Sequence, residues 1–262
     1  MALTPCQDRA SLAAFLGRRP ALNAYAIGDL DDAFWPDTDF YALQEDGPIH
    51  EVILLYKGIT PPILLAYQNE NLDATRQLLA DLIPQLPDTV YAHLTADLLD
   101  LLEPRFHVKP HGEHYMMELV ASEAVLTADP GDAQLLGLDD FDELRAFFDV
   151  AHPEHWFHRP MLAHGLYMGL RDGSGALVAA GGTHVYSPRY RVATLGNVVT
   201  APAQRGRGFA TRLTAALCQR LLPVMDTIGL NVRADNAAAL RVYRKLGFAI
   251  VTNYWEMLLT AR

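Results

Sequence analysis

Apolar residues recur at helical spacing from Ser11 to Leu30, and the stretch closes on Asp29, Asp31 and Asp32 before a loop through Trp35, Pro36 and Asp37. Two short apolar runs follow, Glu51 to Tyr56 and Ile63 to Tyr67. Gly58 and Pro61-Pro62 separate them, a pattern that predicts two strands joined by a turn. Helical spacing returns over Leu72 to Leu86. Thr89 to Leu94 reads as a strand, Ala96 to Phe106 as a helix and His114 to Val120 as a closing strand. The second half repeats the order. A helix is predicted over Asp139 to Val150, strands over Leu166 to Leu170, Leu177 to Val185 and Val192 to Thr200, and a helix over Phe209 to Leu222. Strand Thr227 to Val232, helix Asn236 to Leu246 and strand Tyr254 to Leu259 complete it.

Both halves are therefore α/β, and their ends are alike in detail. Thr95-Ala96-Asp97 precedes a helix ending at Phe106, as Arg233-Ala234-Asp235 precedes one ending at Gly247-Phe248. The aromatic strands His114 to Leu119 and Tyr254 to Leu258 then follow. Self-similarity of this kind predicts a duplicated domain. The polar, turn-forming stretch Thr127-Ala128-Asp129-Pro130-Gly131 suits a linker, which sets the expected domains at 1–126 and 127–262.

Half of the 262 residues are hydrophobic, enough for one large core or two ordinary ones. No apolar run approaches the roughly 18 residues of a bilayer span, and the start lacks the basic-then-apolar layout of a signal peptide. A soluble cytoplasmic protein with no membrane partner is the expectation. Two cysteines are too few for a disulfide framework. Cys218 falls among Leu213, Leu217 and Leu221 at helical spacing, and reads as a small buried hydrophobe rather than a nucleophile. The net charge of −10 argues against nucleic acid as partner. It is uneven: residues 1–125 carry 19 acids and 7 bases, residues 126–262 carry 12 and 14. An anionic ligand on the second half and a cationic acceptor drawn to the first would suit that asymmetry, and so would ordinary surface variation.

The most specific chemistry lies in Asn197-Val198-Val199-Thr200-Ala201-Pro202-Ala203-Gln204-Arg205-Gly206-Arg207-Gly208-Phe209-Ala210, between an apolar strand and an amphipathic helix. Strand, glycine-rich turn and helix N-terminus together form an anion site. Successive amides converge there, and the first helical turn adds unpaired donors and the positive end of the dipole. Gly206 and Gly208 let the backbone come close, while Arg205 and Arg207 add charge. A dinucleotide fingerprint would place a third glycine at Thr211 and follow the first strand of its unit, which this turn does not.

At this point the sequence resembles the GNAT superfamily of acyl-CoA-dependent N-acetyltransferases. Arg205 to Ala210 match its pyrophosphate loop, R/Q-x-x-G-x-G/A. The stretch Asn236-Ala237-Ala238-Ala239-Leu240-Arg241-Val242-Tyr243-Arg244-Lys245-Leu246-Gly247-Phe248 matches its Asn-x-x-Ala-x-x-x-Tyr-x-x-x-Gly-Phe helix. The resemblance covers roughly residues 130–262. It implies tandem domains, each a central mixed, mostly antiparallel sheet flanked by helices, with acetyl-CoA as co-substrate and no metal. Arg205, Gly206, Arg207, Gly208, Phe209 and Ala210 would cradle the pyrophosphate, and Val198, Val199 and Thr200 would hydrogen-bond the pantetheine arm like an added strand. Asn236 would contact that arm from the other side. Tyr243, seven residues on and so on the same helical face, would protonate the departing thiolate.

The base is the weak point. Many relatives place a glutamate on the strand Val192 to Thr200, which here carries no carboxylate. His184, and Asn197 holding a water, are the candidates. His152, His155 and His158 at spacings of three could line the acceptor pocket, serve the surface, or bind a metal if they lie on a helix. In the first half, Ala66 to Gln77 has no glycine and carries two acids, so it should not hold pyrophosphate. The expected activity is acetyl transfer to the primary amine of a small molecule in a ternary complex, with a homodimer left open. The alternatives are a CoA-binding module without turnover and an acyltransferase for a peptide or protein amine.

Overall fold

The computed structural model describes residues 3–44 and 47–262. The chain forms two compact units: Met1–Met116 with Arg233–Asp235 and Val251–Arg262, and Met117–Val232 with Asn236–Ile250. The elements of the first half are α1 (Arg9–Leu16), α2 (Ala24–Gly28), β1 (Thr38–Gln44), β2 (Ile49–Tyr56), β3 (Ile63–Ala66), α3 (Leu72–Leu82), β4 (Thr89–Leu94), α4 (Leu99–Leu102) and β5 (Phe106–Leu119). Then come α5 (Glu123–Thr127), β6 (Gln134–Leu136), α6 (Phe141–Ala151), α7 (Arg159–His164), β7 (Tyr167–Arg171), β8 (Leu177–Ser187), β9 (Val192–Thr200), α8 (Phe209–Leu221), β10 (Thr227–Arg233), α9 (Ala237–Lys245) and β11 (Phe248–Ala261).

Each unit is a mixed, mostly antiparallel sheet with helices, the tandem arrangement expected. In the first, the strand order is β1-β2-β3-β4-β11-β5, with β3 and β4 parallel and the β1-β2, β2-β3 and β4-β11 pairs antiparallel. The second has the order β10-β9-β8-β7-β6, with β9 and β10 parallel and the others antiparallel. The same strand, loop, helix, parallel-strand sequence thus occurs twice, as β3-α3-β4 and as β9-α8-β10.

The division differs from the expected break at 126/127. Most of β11 belongs to the first unit, where Trp255 pairs with Leu94 and Thr260 with Thr89, and where Met257 and Leu259 are buried with Val90, Ala92 and Leu102. Residues 117–126 belong to the second, where the α5 segment is tied down by Gln219 Nε2 donating to the carbonyls of Val125 and Ala128. The turn at Asp129 to Gly131 is a surface loop inside one unit, because burying α5 on α8 outweighs its linker-like composition. Self-similar segments had suggested that each half keeps its own final strand. Burial of apolar side chains decides otherwise.

Several boundaries also move. The single helix expected over Ser11 to Leu30 is two short ones, since Gly17 ends α1 and Pro20 bars continuation. The helix over Ala96 to Phe106 is cut to one short turn of 3-10 and α4, because Phe106, fully buried, opens β5. Strand β1 and helix α7 had no distinct period of their own. Gly247, in the second motif, has φ +95°, and a Cβ there would stand 1.9 Å from the Ala121 carbonyl oxygen, which explains the glycine.

A buried polar network marks the insertion of β11. Glu256 accepts from the Tyr91 hydroxyl at 2.7 Å and the Tyr254 hydroxyl at 2.9 Å, with His93 Nε2 at 3.7 Å and His114 Nε2 at 3.6 Å. Burial holds the His93 imidazole below its ordinary value, with Glu256 pulling weakly the other way. For Glu256 burial alone would raise the pKa, but His93, His114 and the two hydroxyls outweigh it and hold it low. Both groups bind fewer protons folded than unfolded, so both contribute stability at neutral pH that is lost on acidification. Thermal unfolding midpoints should therefore fall once the pH drops below the ordinary histidine value of 6.5, and fall again below 4.5. His93→Gln should flatten the upper part of that profile. A wild-type midpoint independent of pH between 7 and 4 contradicts this account.

Candidate functional site

Strands β9 and β10 pair from Val192↔Thr227 to Leu195↔Leu230 and no further. Beyond that register β9 runs on through Thr200 with every residue from Gly196 half-buried. Two parallel strands that part in this way leave backbone donors and acceptors on their inner edges without a ladder partner, so an extended chain can lie between them.

The parting begins at a bulge. Ala180 pairs with Val199 but Gly182 with Gly196, so Asn197 and Val198 together oppose Gly181. Asn197 has φ +52°, left-handed and uncommon outside glycine. Two rings cover the glycines here. A Cβ on Gly196 would fall 2.1 Å from the His184 ring, and one on Gly182 would fall 2.4 Å from the Tyr167 ring. Tyr167 is fully buried, raising its hydroxyl pKa well above the ordinary range, and that hydroxyl accepts from Asn197 Nδ2 at 3.2 Å.

Past β9 the chain makes a 3-10 turn, Pro202–Gln204, and reaches α8 through Arg205 to Gly208. Gly206 (φ +78°) and Gly208 (φ +85°) are both left-handed, and a Cβ on either would meet nothing within 4 Å. The turn is exposed. Helix α8 begins on Gly208 with no side-chain cap and no acid in its first turn, leaving its leading amides for an anion. Arg205 Nη2 donates to the Ala151 carbonyl at 3.3 Å, tying the loop to the end of α6, and the Arg207 guanidinium lies 5.8 Å from the Phe209 ring.

Helix α9 supplies the second motif. Asn236 caps it, its Oδ1 accepting from the Ala239 amide at 3.1 Å. Tyr243 is 8% exposed, lies edge-on to Phe248 at 5.9 Å, and burial together with nearby Cys218 pushes its phenol up to about 12. Cys218 is fully buried with its thiol raised to about 12, as its helical spacing anticipated.

The three histidines do not share a helix: α6 ends at Ala151, His152 caps it, and His155 lies in the following turn. Both ring nitrogens of His155 are engaged, Nε2 with Asp149 at 2.9 Å and Nδ1 accepting the Phe157 amide at 3.1 Å. Phe157 in turn packs on Phe148 and Tyr167. Among the described residues no three His, Cys, Asp or Glu side chains are grouped to hold a metal.

In the first unit the matching pair, β3 and β4, stays linked beyond its ladder. After the β3-β4 ladder ends at Ala66↔Leu94, the Thr95 amide donates to the Ala66 carbonyl and the Gln68 amide to Thr95 Oγ1. Glu51, on β2, reaches the loop before α3 with a fully buried side chain: it accepts from the Asn69 amide at 3.2 Å, Asn69 Nδ2 at 2.7 Å and Thr75 Oγ1 at 2.8 Å. Burial raises its pKa against the pull of those donors.

With that geometry in hand, comparison with known proteins is decisive at one level. Residues 137–248 match a family model described as the acetyltransferase (GNAT) family. Over 105 residues the chain is 37% identical to a mycothiol acetyltransferase of Mycobacterium sp. (strain JLS), a match covering 37% of this chain and 32% of the relative. One from Tsukamurella paurometabola is 37% identical over 92 residues, covering 32% of each. The chain thus spans about a third of the length of the curated relatives it matches. In fold, a Drosophila protein aligns with TM-score 0.71 at 13% identity, covering 99% of this chain and 98% of its own. A tandem GNAT protein from the clavulanic acid biosynthesis pathway aligns with TM-score 0.57 at 15% identity, over 99% and 98% of the two chains. These structures share the fold across both units.

Of the residues singled out in the sequence, Val198, Val199 and Thr200 lie on the parting strand, Gly206 and Gly208 in the open turn, and His184 on β8 with its ring against Gly196. Tyr167 was not anticipated. Its signal was indirect: the pair Gly181-Gly182 and the single Gly196 interrupt strands, which marks a bulge or a close approach.

Proposed function

We propose that this chain transfers the acetyl group of acetyl-CoA to the primary amine of a small molecule, by direct attack in a ternary complex in the cytoplasm. The observation that carries the reading is the open, left-handed pair Gly206 and Gly208 at the uncapped start of α8, a cradle shaped for a diphosphate. Acetyl-CoA supplies an activated acyl group. Arg205 to Ala210 hold the diphosphate, Val198 to Thr200 and Asn236 flank the pantetheine arm, and an amide of the Asn197–Val198 bulge polarises the acyl carbonyl. The acceptor nitrogen forms the new C–N bond as the C–S bond breaks. Its proton goes to His184 or to water held by Asn197, and the Tyr243 hydroxyl protonates the sulfur. The name of the mycothiol acetyltransferases supports a small acceptor.

The lack of any carboxylate on β9 favours one competing reading, a CoA-binding module without turnover. Incubating a panel of small amines with acetyl-CoA while following free thiol separates the two, since the module releases none with any acceptor. Because Glu51 fills the loop of the first unit, calorimetry should find one CoA per chain. Two would refute the assignment of the first unit, and none would end the proposal.

A further inference from the structure

Tyr167 stands on β7, two strands from the bulge on β9, yet its hydroxyl reaches Asn197. It does so because Gly182, its register partner on β8, has no side chain: the ring passes over that position, where even a Cβ would come within 2.4 Å. The ring is 1% exposed and braced by Phe157 at 5.3 Å between centroids. Its hydroxyl donates to Met161 Sδ at 3.6 Å and accepts from Asn197 Nδ2 at 3.2 Å. Asn197 in turn sits at φ +52°, in the left-handed region that residues other than glycine occupy uncommonly and keep when their surroundings hold them. A rigid, buried tyrosine gripping the side chain of a strained residue is such a hold.

We propose that Tyr167 is a positioning residue: by fixing Asn197 in its left-handed conformation it sets the β9 bulge, and with it the direction of the amide that meets the acyl carbonyl. This rests on the acetyltransferase reading and adds a residue that touches neither substrate. Without the grip, β9 can relax toward regular extended geometry, turning that amide away while leaving the diphosphate cradle untouched. Transfer should then weaken with CoA binding retained.

The test uses Tyr167→Phe, which keeps the ring and its packing, and the double variant Tyr167→Phe/Asn197→Gly, in which glycine adopts the left-handed conformation unaided. Tyr167→Phe should lower kcat roughly tenfold to hundredfold, short of or equal to losing an oxyanion donor outright, with the Kd for CoA unchanged. The infrared carbonyl stretch of bound, carbonyl-labelled acetyl-CoA should move back toward its value in water. The double variant should bring the carbonyl frequency back to its wild-type value, which a general packing defect would not; its kcat is not part of the test, because Asn197 also holds a water that can take the acceptor's proton. Unchanged kcat and carbonyl frequency in Tyr167→Phe, or a carbonyl shift that Asn197→Gly fails to reverse, overturn the inference. Wild-type protein that fails to bind acetyl-CoA overturns the acetyltransferase reading beneath it.

Discussion

Replacing Tyr243 by phenylalanine should cut kcat roughly 10²- to 10⁴-fold, the usual contribution of a positioned acid, while leaving the affinity for CoA as it was. Burial, with Cys218 adding to it, pushes the phenol up to about 12, so it stays protonated across the working pH range and always has a proton for the departing sulfur. The substitution keeps the ring and its edge-on contact with Phe248, so folding should survive. Steady-state rates and calorimetry on the same preparations check the split. An equal loss of CoA affinity would make Tyr243 a packing residue, and an undiminished kcat would remove it from the chemistry.

Gly208→Val should abolish most CoA binding, weakening it by about a hundredfold or more, if two charge-assisted amide contacts of roughly 1.5–3 kcal/mol each are lost. Valine is disfavoured at φ +85°, and its side chain would project into the open space that the diphosphate is proposed to fill. That same openness limits the cost to the fold, because a Cβ there touches no other atom of the protein within 4 Å. The thermal midpoint should fall only by what backbone strain of about 1–2 kcal/mol implies. Gly206→Val, at φ +78° and equally open, should behave alike. Retained CoA affinity in both variants would mean that the anion lies elsewhere.

The recognisable chemistry was local, and for that reason legible in the chain. The proposed phosphate cradle needs two glycines, flanking charge and a following helix within a few residues, and these stand consecutively from Arg205 to Ala210. Asn236 and Tyr243 share a helix, so their seven-residue spacing alone puts them on one face. Strand and helix order was equally readable wherever the apolar period was long. It failed where elements are short or interrupted: α1 and α2 read as one helix because both bury the same kind of face, and β1 had no alternation to announce it.

The sequence by itself determined that the chain has two α/β halves, and that the second carries a glycine-arginine turn and a helix motif resembling those of the GNAT family. Tertiary structure alone decided which unit the last strand completes, since the affinity of Met257 and Leu259 for one core over another depends on surfaces made by distant segments. It also decided that Glu51, eighteen residues before Asn69, closes the first loop, and that Tyr167 crosses a glycine to grip Asn197. Contacts between side chains from separate strands leave no period in the chain. Sequence spacing records which residues share an element, and packing settles which elements share a space.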